Sequence, residues 1–362
     1  MKSRCLPAPN SASVPQAAAP EGEPVEGGLL VTVHKGPGDI LQLAPEWRAL
    51  LENASPRHPF FDPAWHHAWW SHLETGALYI CAVRREDGSL LAVAPWTLGE
   101  DGTLRFTGGE DVTDYLDIVA AEGDHPAAWR ALLAHLEGTG APDWRALDLH
   151  CVPEDSPTVR ILSEANGPAG GRAEVAREEV CPVVSLPDSV EEYLGTLSSR
   201  DEREMRRKVR KAHMEPGLEF HRTLTPAQLE EDIEAFFHLH ALSHPEKADF
   251  WNEGRRGFFR EMAREMLKLG WLDLTIMRVD DHPVAVNFSF DFDDRIYLYN
   301  SGFDPEESAL SGGIVLIVQN IEEAIQGGRK AFDMLRGDEK YKYRYGAKDE
   351  FIMRVRLKRE GR

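Results

Sequence analysis

The stretch from Ile296 to Ala347 constrains the fold more than any other part of the chain. It opens on an alternating aromatic run, Ile296 to Asn300, of strand type. A loop carrying Gly302, Pro305, Ser311, Gly312 and Gly313 follows. An apolar-periodic helix then runs from about Gly313 to Gln326 and is closed by Gly327 and Gly328. Ala331 to Leu335 reads as a second strand, and the polar, aromatic loop RGDEKYKYRYG comes after it. Strand, glycine turn, helix, strand is a βαβ-like unit. Its middle presents unpaired backbone N–H groups at the positive end of a helix dipole, where a phosphate is well placed.

The rest of the chain repeats this plan. AVRREDGSLLAVA (Ala82 to Ala94) reads against IMRVDDHPVAVNF (Ile276 to Phe288), each a hairpin preceded by helices and followed by strands and a helix. The spacing is an internal duplication with a period of roughly two hundred residues, not a solenoid. The fold class expected is therefore α+β: two tandem units, each a mixed twisted sheet flanked by helices. Residues 1–28, rich in Pro, Ala, Ser and Glu, read as a disordered leader. The first unit spans 29–184 and the second 185–362, with Pro182 to Pro187 as the bridge. The last strand, Phe351 to Leu357, is left unassigned between the two units.

Composition excludes several classes. A formal net charge of −20 disfavours a general DNA or RNA binder, which needs a basic surface. No apolar run approaches the roughly 18 residues of a membrane helix, and no apolar stretch follows Lys2 and Arg4 as in a signal peptide. Cys5, Cys81, Cys151 and Cys181 are widely separated, which fits reduced thiols and a cytoplasmic location. His240 and His244 share a helix face, but no third ligand accompanies them, so no metal is expected.

SGFDP (Ser301 to Pro305), Leu310-Ser311-Gly312-Gly313, Phe332 to Glu339 and YKYRYGA (Tyr341 to Ala347) form an ordered set, preceded by FDPAWHHAWW and DVTDYLDIV. With these residues the chain resembles the double-domain GNAT-fold acyltransferases of the BioF2-like, cellulose-biosynthesis type, relatives of the Fem-type peptidyltransferases. The resemblance implies a donor site for acetyl-CoA or another acyl-CoA, built from Ser301, Leu310, Ser311, Gly312, Gly313 and Ile314. Gly312 stands where the family has Pro, and it preserves the turn. The reaction implied is acyl transfer to an amine of a small molecule, sugar or cell-envelope precursor.

Attack of an amine on a thioester needs a proton acceptor, oxyanion stabilisation and protonation of the departing thiolate. Asp338 and Glu339 supply carboxylates just after a strand. Tyr341 and Tyr343 supply phenols, while Lys342 and Arg344 supply cationic donors from a solvated loop. Asp114, Tyr115 and Asp117, with strand alternation placing Tyr115 and Asp117 on one face, are expected to line the acceptor cleft together with His240 and Arg336. Arg203, Arg206, Arg207, Arg210 and Lys211 make one helix face suited to phosphate. Two other readings remain at this point: aminoacyl transfer from a charged tRNA, as in Fem-type proteins, and a non-catalytic GNAT-fold protein of an exopolysaccharide pathway.

Overall fold

The computed structural model describes residues 22–25, 27–73, 76–164 and 172–359. Its first part comprises β1 (Glu23–Val25), β2 (Leu29–His34), α1 (Pro37–Leu51), α2 (Pro63–Leu73), β3 (Ala77–Arg84), β4 (Leu90–Leu98), β5 (Thr103–Phe106), β6 (Val119–Ala120), α3 (His125–Glu137), β7 (Ala146–Pro153), α4 (Pro157–Glu164) and β8 (Glu174–Ser185). The second comprises α5 (Val190–Thr196), α6 (Ser199–Ala212), β9 (Leu218–Arg222), α7 (Pro226–Ser243), α8 (Pro245–Asp249), α9 (Glu253–Lys268), β10 (Leu272–Val279), β11 (His282–Phe292), β12 (Arg295–Phe303), α10 (Gly312–Gln326), β13 (Ala331–Asp333) and β14 (Lys348–Lys358).

All the strands join one mixed sheet, in the order β1-β2-β3-β4-β5-β7-β14-β8-β13-β12-β11-β10-β9, with β6 on β4. Hairpin chemistry sets the second unit's register. Asp280 and Asp281 both have positive φ between β10 and β11, as do Asp293 and Asp294 between β11 and β12. A two-residue hairpin turn of matching twist requires that geometry, which Asp tolerates.

β14 lies between β7 and β8, antiparallel to both. β8 also pairs its last residues with β13. The end of the chain therefore closes the seam between the units. Packing crosses the same seam: Trp65 of α2 meets Phe258 of α9 at 5.2 Å and Tyr299 of β12 at 5.4 Å, edge to face. One buried apolar cluster runs from Val31 to Leu357.

The sequence-derived boundaries need five corrections. The expected junction at residue 184 falls inside β8, because that strand has partners on both sides of it. The leader does not extend to Gly28: β1 pairs with β2, and Glu23 accepts a hydrogen bond from His135 of α3 at 2.8 Å. Residues 1–21 lie outside the described residues. α1 starts at Pro37 and continues through Pro45, where the sequence predicts a helix only from about Pro45 to Glu52. The run YLDIVA is strand only at Val119 and Ala120, where it pairs with β4. β9 and α8 were not anticipated, being short and weakly periodic.

Candidate functional site

β12 and β13 are parallel and paired only over Arg295 to Tyr297 and Ala331 to Asp333. Beyond this they part. The ladder between β11 and β12 shifts register beside Tyr299, because Phe288 faces Asn300 while Ser289 faces Leu298. The extra residue bends β12 at the point of divergence. α10 connects the two strands, and its start lies beside the end of β12, with the Phe303 ring 3.4 Å from the Cβ position of Gly313.

That helix start is open. Ser311 is left-handed (φ 54°) and its side chain caps nothing, and the first turn of α10 contains no acid. Ile314 and Val315 already bond the Ser311 carbonyl. The N–H groups of Gly312 and Gly313 precede any intrahelical acceptor. Gly312 is constrained on its other side, where a Cβ would stand 3.0 Å from Ala285 Cβ. Leu310 is buried with Val284, Ala285, Val315 and Leu316 and so fixes the helix start. Ile314 packs half-buried against the cluster of Ile317 and Ile321.

One wall of the wedge is α7. Gly302 permits this approach, since a Cβ there would lie 2.4 Å from the His240 backbone nitrogen. His240 Nδ1 accepts from Trp251 Nε1 at 3.1 Å, so its proton is on Nε2, which donates to Asn300 Oδ1 at 3.0 Å. Burial pushes its pKa down to about 3. This corrects its expected place at the acceptor: at 3% exposure and with both ring nitrogens engaged, it orients Asn300.

Lys247 of α8, absent from the sequence reading, donates to the Ser301 carbonyl at 2.8 Å. Burial pushes its ammonium below the ordinary lysine range, while the charge of Glu339 pulls the other way. Nothing in the local pattern singled it out, because α8 has no apolar periodicity.

The other wall is the loop after β13. Leu335 and Gly337 have positive φ, and the Glu339 carboxylate folds over Gly337. Lys342 fixes that arrangement. Its Nζ donates to the carbonyls of Leu335 (3.1 Å), Arg336 (2.5 Å) and Gly337 (3.1 Å) and pairs with Glu339 at 3.0 Å. At 3% exposure it is no solvated loop lysine, which corrects the expectation that it serves as a free cationic donor. Glu339 remains 56% exposed, and Tyr341 is 40% exposed. Asp338 is exposed as well. Asp349 beside the Tyr343 hydroxyl raises that phenol's pKa.

Five further expected substrate contacts are engaged within the protein. Arg344 pairs with Asp201 at 3.0 Å and Glu204 at 2.7 Å on α6. Arg336 and Asp114 pair with each other at 2.7 Å, tying the first unit to the second. Tyr115 stacks on His58 and donates to Asp333 at 2.9 Å. Burial raises the Asp333 pKa to about 6. Asp117 turns away to the start of α4, where it accepts from the hydroxyls of Ser156 and Thr158. Residues 114–118 are not a strand, so the alternation expected for Tyr115 and Asp117 does not operate there.

Residues 199–343 match the family model described as Acetyltransferase (GNAT) domain. A search of curated proteins finds no match. Among solved structures the chain is similar to FemX (TM-score 0.58, 12% identity, covering 86% of this chain and 95% of that one). It is also similar to the C-terminal domain of a putative lysylphosphatidylglycerol synthetase from Agrobacterium fabrum (TM-score 0.56, 10% identity, 90% and 93% covered). L-PGS from Bacillus licheniformis gives a TM-score of 0.56 at 10% identity, with 88% and 92% covered. At such identities the likeness to these structures is one of fold. No helix among the described residues is long and apolar enough to cross a membrane. Residues 199–343 thus match a GNAT-domain family model, and the chain as a whole shares an α+β fold with FemX.

Proposed function

We propose that the protein is a cytoplasmic N-acyltransferase that moves an acyl group, most simply acetyl, from coenzyme A to an amine. The observation that carries this reading is the bare start of α10, with Gly312, Gly313 and no acid in its first turn, beside the β12–β13 divergence. An anionic pyrophosphate is favoured there by unpaired N–H groups and the helix dipole. Glu339 is the proton acceptor for the attacking amine, held over Gly337 by Lys342. Tyr341, exposed on the same loop, is the proton donor to the departing thiolate. Lys247 supplies positive charge at the β12 edge, where the oxyanion of the tetrahedral intermediate would need it.

A second reading, transfer from an aminoacyl-tRNA, draws support from α6. Arg203, Arg207 and Arg210 are exposed there, and Lys211 donates to the Ala309 carbonyl just before α10. A basic helix beside the donor site suits a polyanion. Native mass spectrometry of the purified chain with acetyl-CoA and, separately, with charged tRNA decides between the two. Acetyl-CoA retention with acetylation of an amine panel supports the first reading. Retention of charged tRNA alone supports the second.

A further inference from the structure

The first unit has its own strand divergence, and a cluster there plays no part in the proposed acyl transfer. Glu110 lies on the loop after β5, His150 on β7 and Glu178 on β8. One ligating atom from each lies within 4.8 Å of the others. His150 Nδ1 is 2.7 Å from Glu110 Oε2 and 2.5 Å from Glu178 Oε1. One ring nitrogen carries at most one proton, so it cannot fully serve two carboxylates. The neighbouring Arg336 is engaged by Asp114 and by the Glu110 carbonyl. Two carboxylates thus compete for one imidazole nitrogen, while the nearby Arg336 and Arg354 are paired with Asp114 and Asp148.

Its surroundings hold these side chains in place. Asp148 Oδ1 stands 3.5 Å from Nε2, on the side where a carboxylate orients a metal-bound histidine, and Arg354 holds it there at 2.7 Å. The Cys151 N–H fixes the second oxygen of Glu178 at 2.8 Å. The β7–β14 register breaks here, and Cys151 has φ 61°. The break re-aims His150 and Cys151 toward Glu178. A hollow of about 410 Å³ bordered by Glu110, Asp111 and His150 gives access from solvent.

We propose that Glu110, His150 and Glu178 bind one divalent transition-metal ion. One imidazole nitrogen and two carboxylate oxygens form a donor set suited to Zn²⁺, and water would complete the coordination. The ion ties the loop that carries Asp114 to β7 and β8, and so sets the Asp114–Arg336 contact between the units.

The test uses the full chain after chelator treatment, titrated calorimetrically with Zn²⁺. One ion per chain is expected, with affinity reduced at least tenfold in His150→Ala and in Glu110→Gln. The Glu110 side chain is 59% exposed, so its substitution leaves the fold intact even if His150→Ala does not. No high-affinity uptake by the parent, or undiminished uptake in Glu110→Gln, would overturn the proposal.

Discussion

The molecule builds the same crossover twice, and the two copies differ at the helix start. β5, α3 and β7 form one, with the short β6 inserted before α3 and parallel pairing only at Thr103–Ala146 and Leu104–Leu147. β12, α10 and β13 form the other, again parallel and again parting after a few residues. At α10 the chain offers two glycines and no acid. At α3 it offers Asp124, paired with Arg85 at 2.7 Å, then His125, buried and bonded to the Ser55 carbonyl, then Pro126, which has no N–H to give. The divergence near β7 is lined by Glu110, Asp148 and His150, which disfavour an anion. One backbone plan thus makes two wedges, and a few side chains decide which of them can hold a phosphate.

The comparison can be broken most severely at Gly302. Gly302→Val forces α7 off β12, because even a Cβ would lie 2.4 Å from the His240 backbone nitrogen. We expect a loss of about 3 kcal/mol or more in urea unfolding. An unchanged midpoint would mean that α7 is not seated there.

Lys342→Ala should cost about 2–3 kcal/mol, since it leaves three carbonyls without their buried donor. A solvated lysine in this loop would give the opposite balance, with turnover falling more than stability. Full stability with lost turnover would restore that view.

Asp117→Asn sharpens the contrast from the first unit. Desolvation raises the Asp117 pKa, so the folded state holds its proton more tightly than the unfolded chain. Stability from this group therefore falls as pH rises above the ordinary aspartate range. The variant should lie within about 1 kcal/mol of the parent near pH 4 and gain on it toward pH 7. Its coenzyme A affinity should not change. A loss of acceptor use in the folded variant would return Asp117 to the cleft.

Periodic and turn-marked features were legible in the sequence: the paired hairpins and α10 with its glycines. Features that depend on distant pairing were not. β14 inserts between β7 and β8 because hydrogen bonds, which carry no local pattern, place it there. Lys342 looks solvated beside Tyr341 and Tyr343, yet backbone carbonyls with positive-φ neighbours draw it inside. His240, Trp251 and Asn300 meet only through the close approach that Gly302 allows. Glu110, His150 and Glu178 come from three segments that only the sheet brings together.

The central claim is that a single donor site exists, at the start of α10. Gly313 has only the Phe303 ring near its Cβ position, so Gly313→Glu adds a side chain and a negative charge without a clash inside the fold. Calorimetric titration of acetyl-CoA into the parent and this variant tests it most directly. The account predicts one site per chain in the parent and at least a tenfold weaker affinity in Gly313→Glu, about 1.4 kcal/mol or more, at unchanged melting temperature. Two equivalent sites in the parent, or equal affinity in the variant, would contradict it.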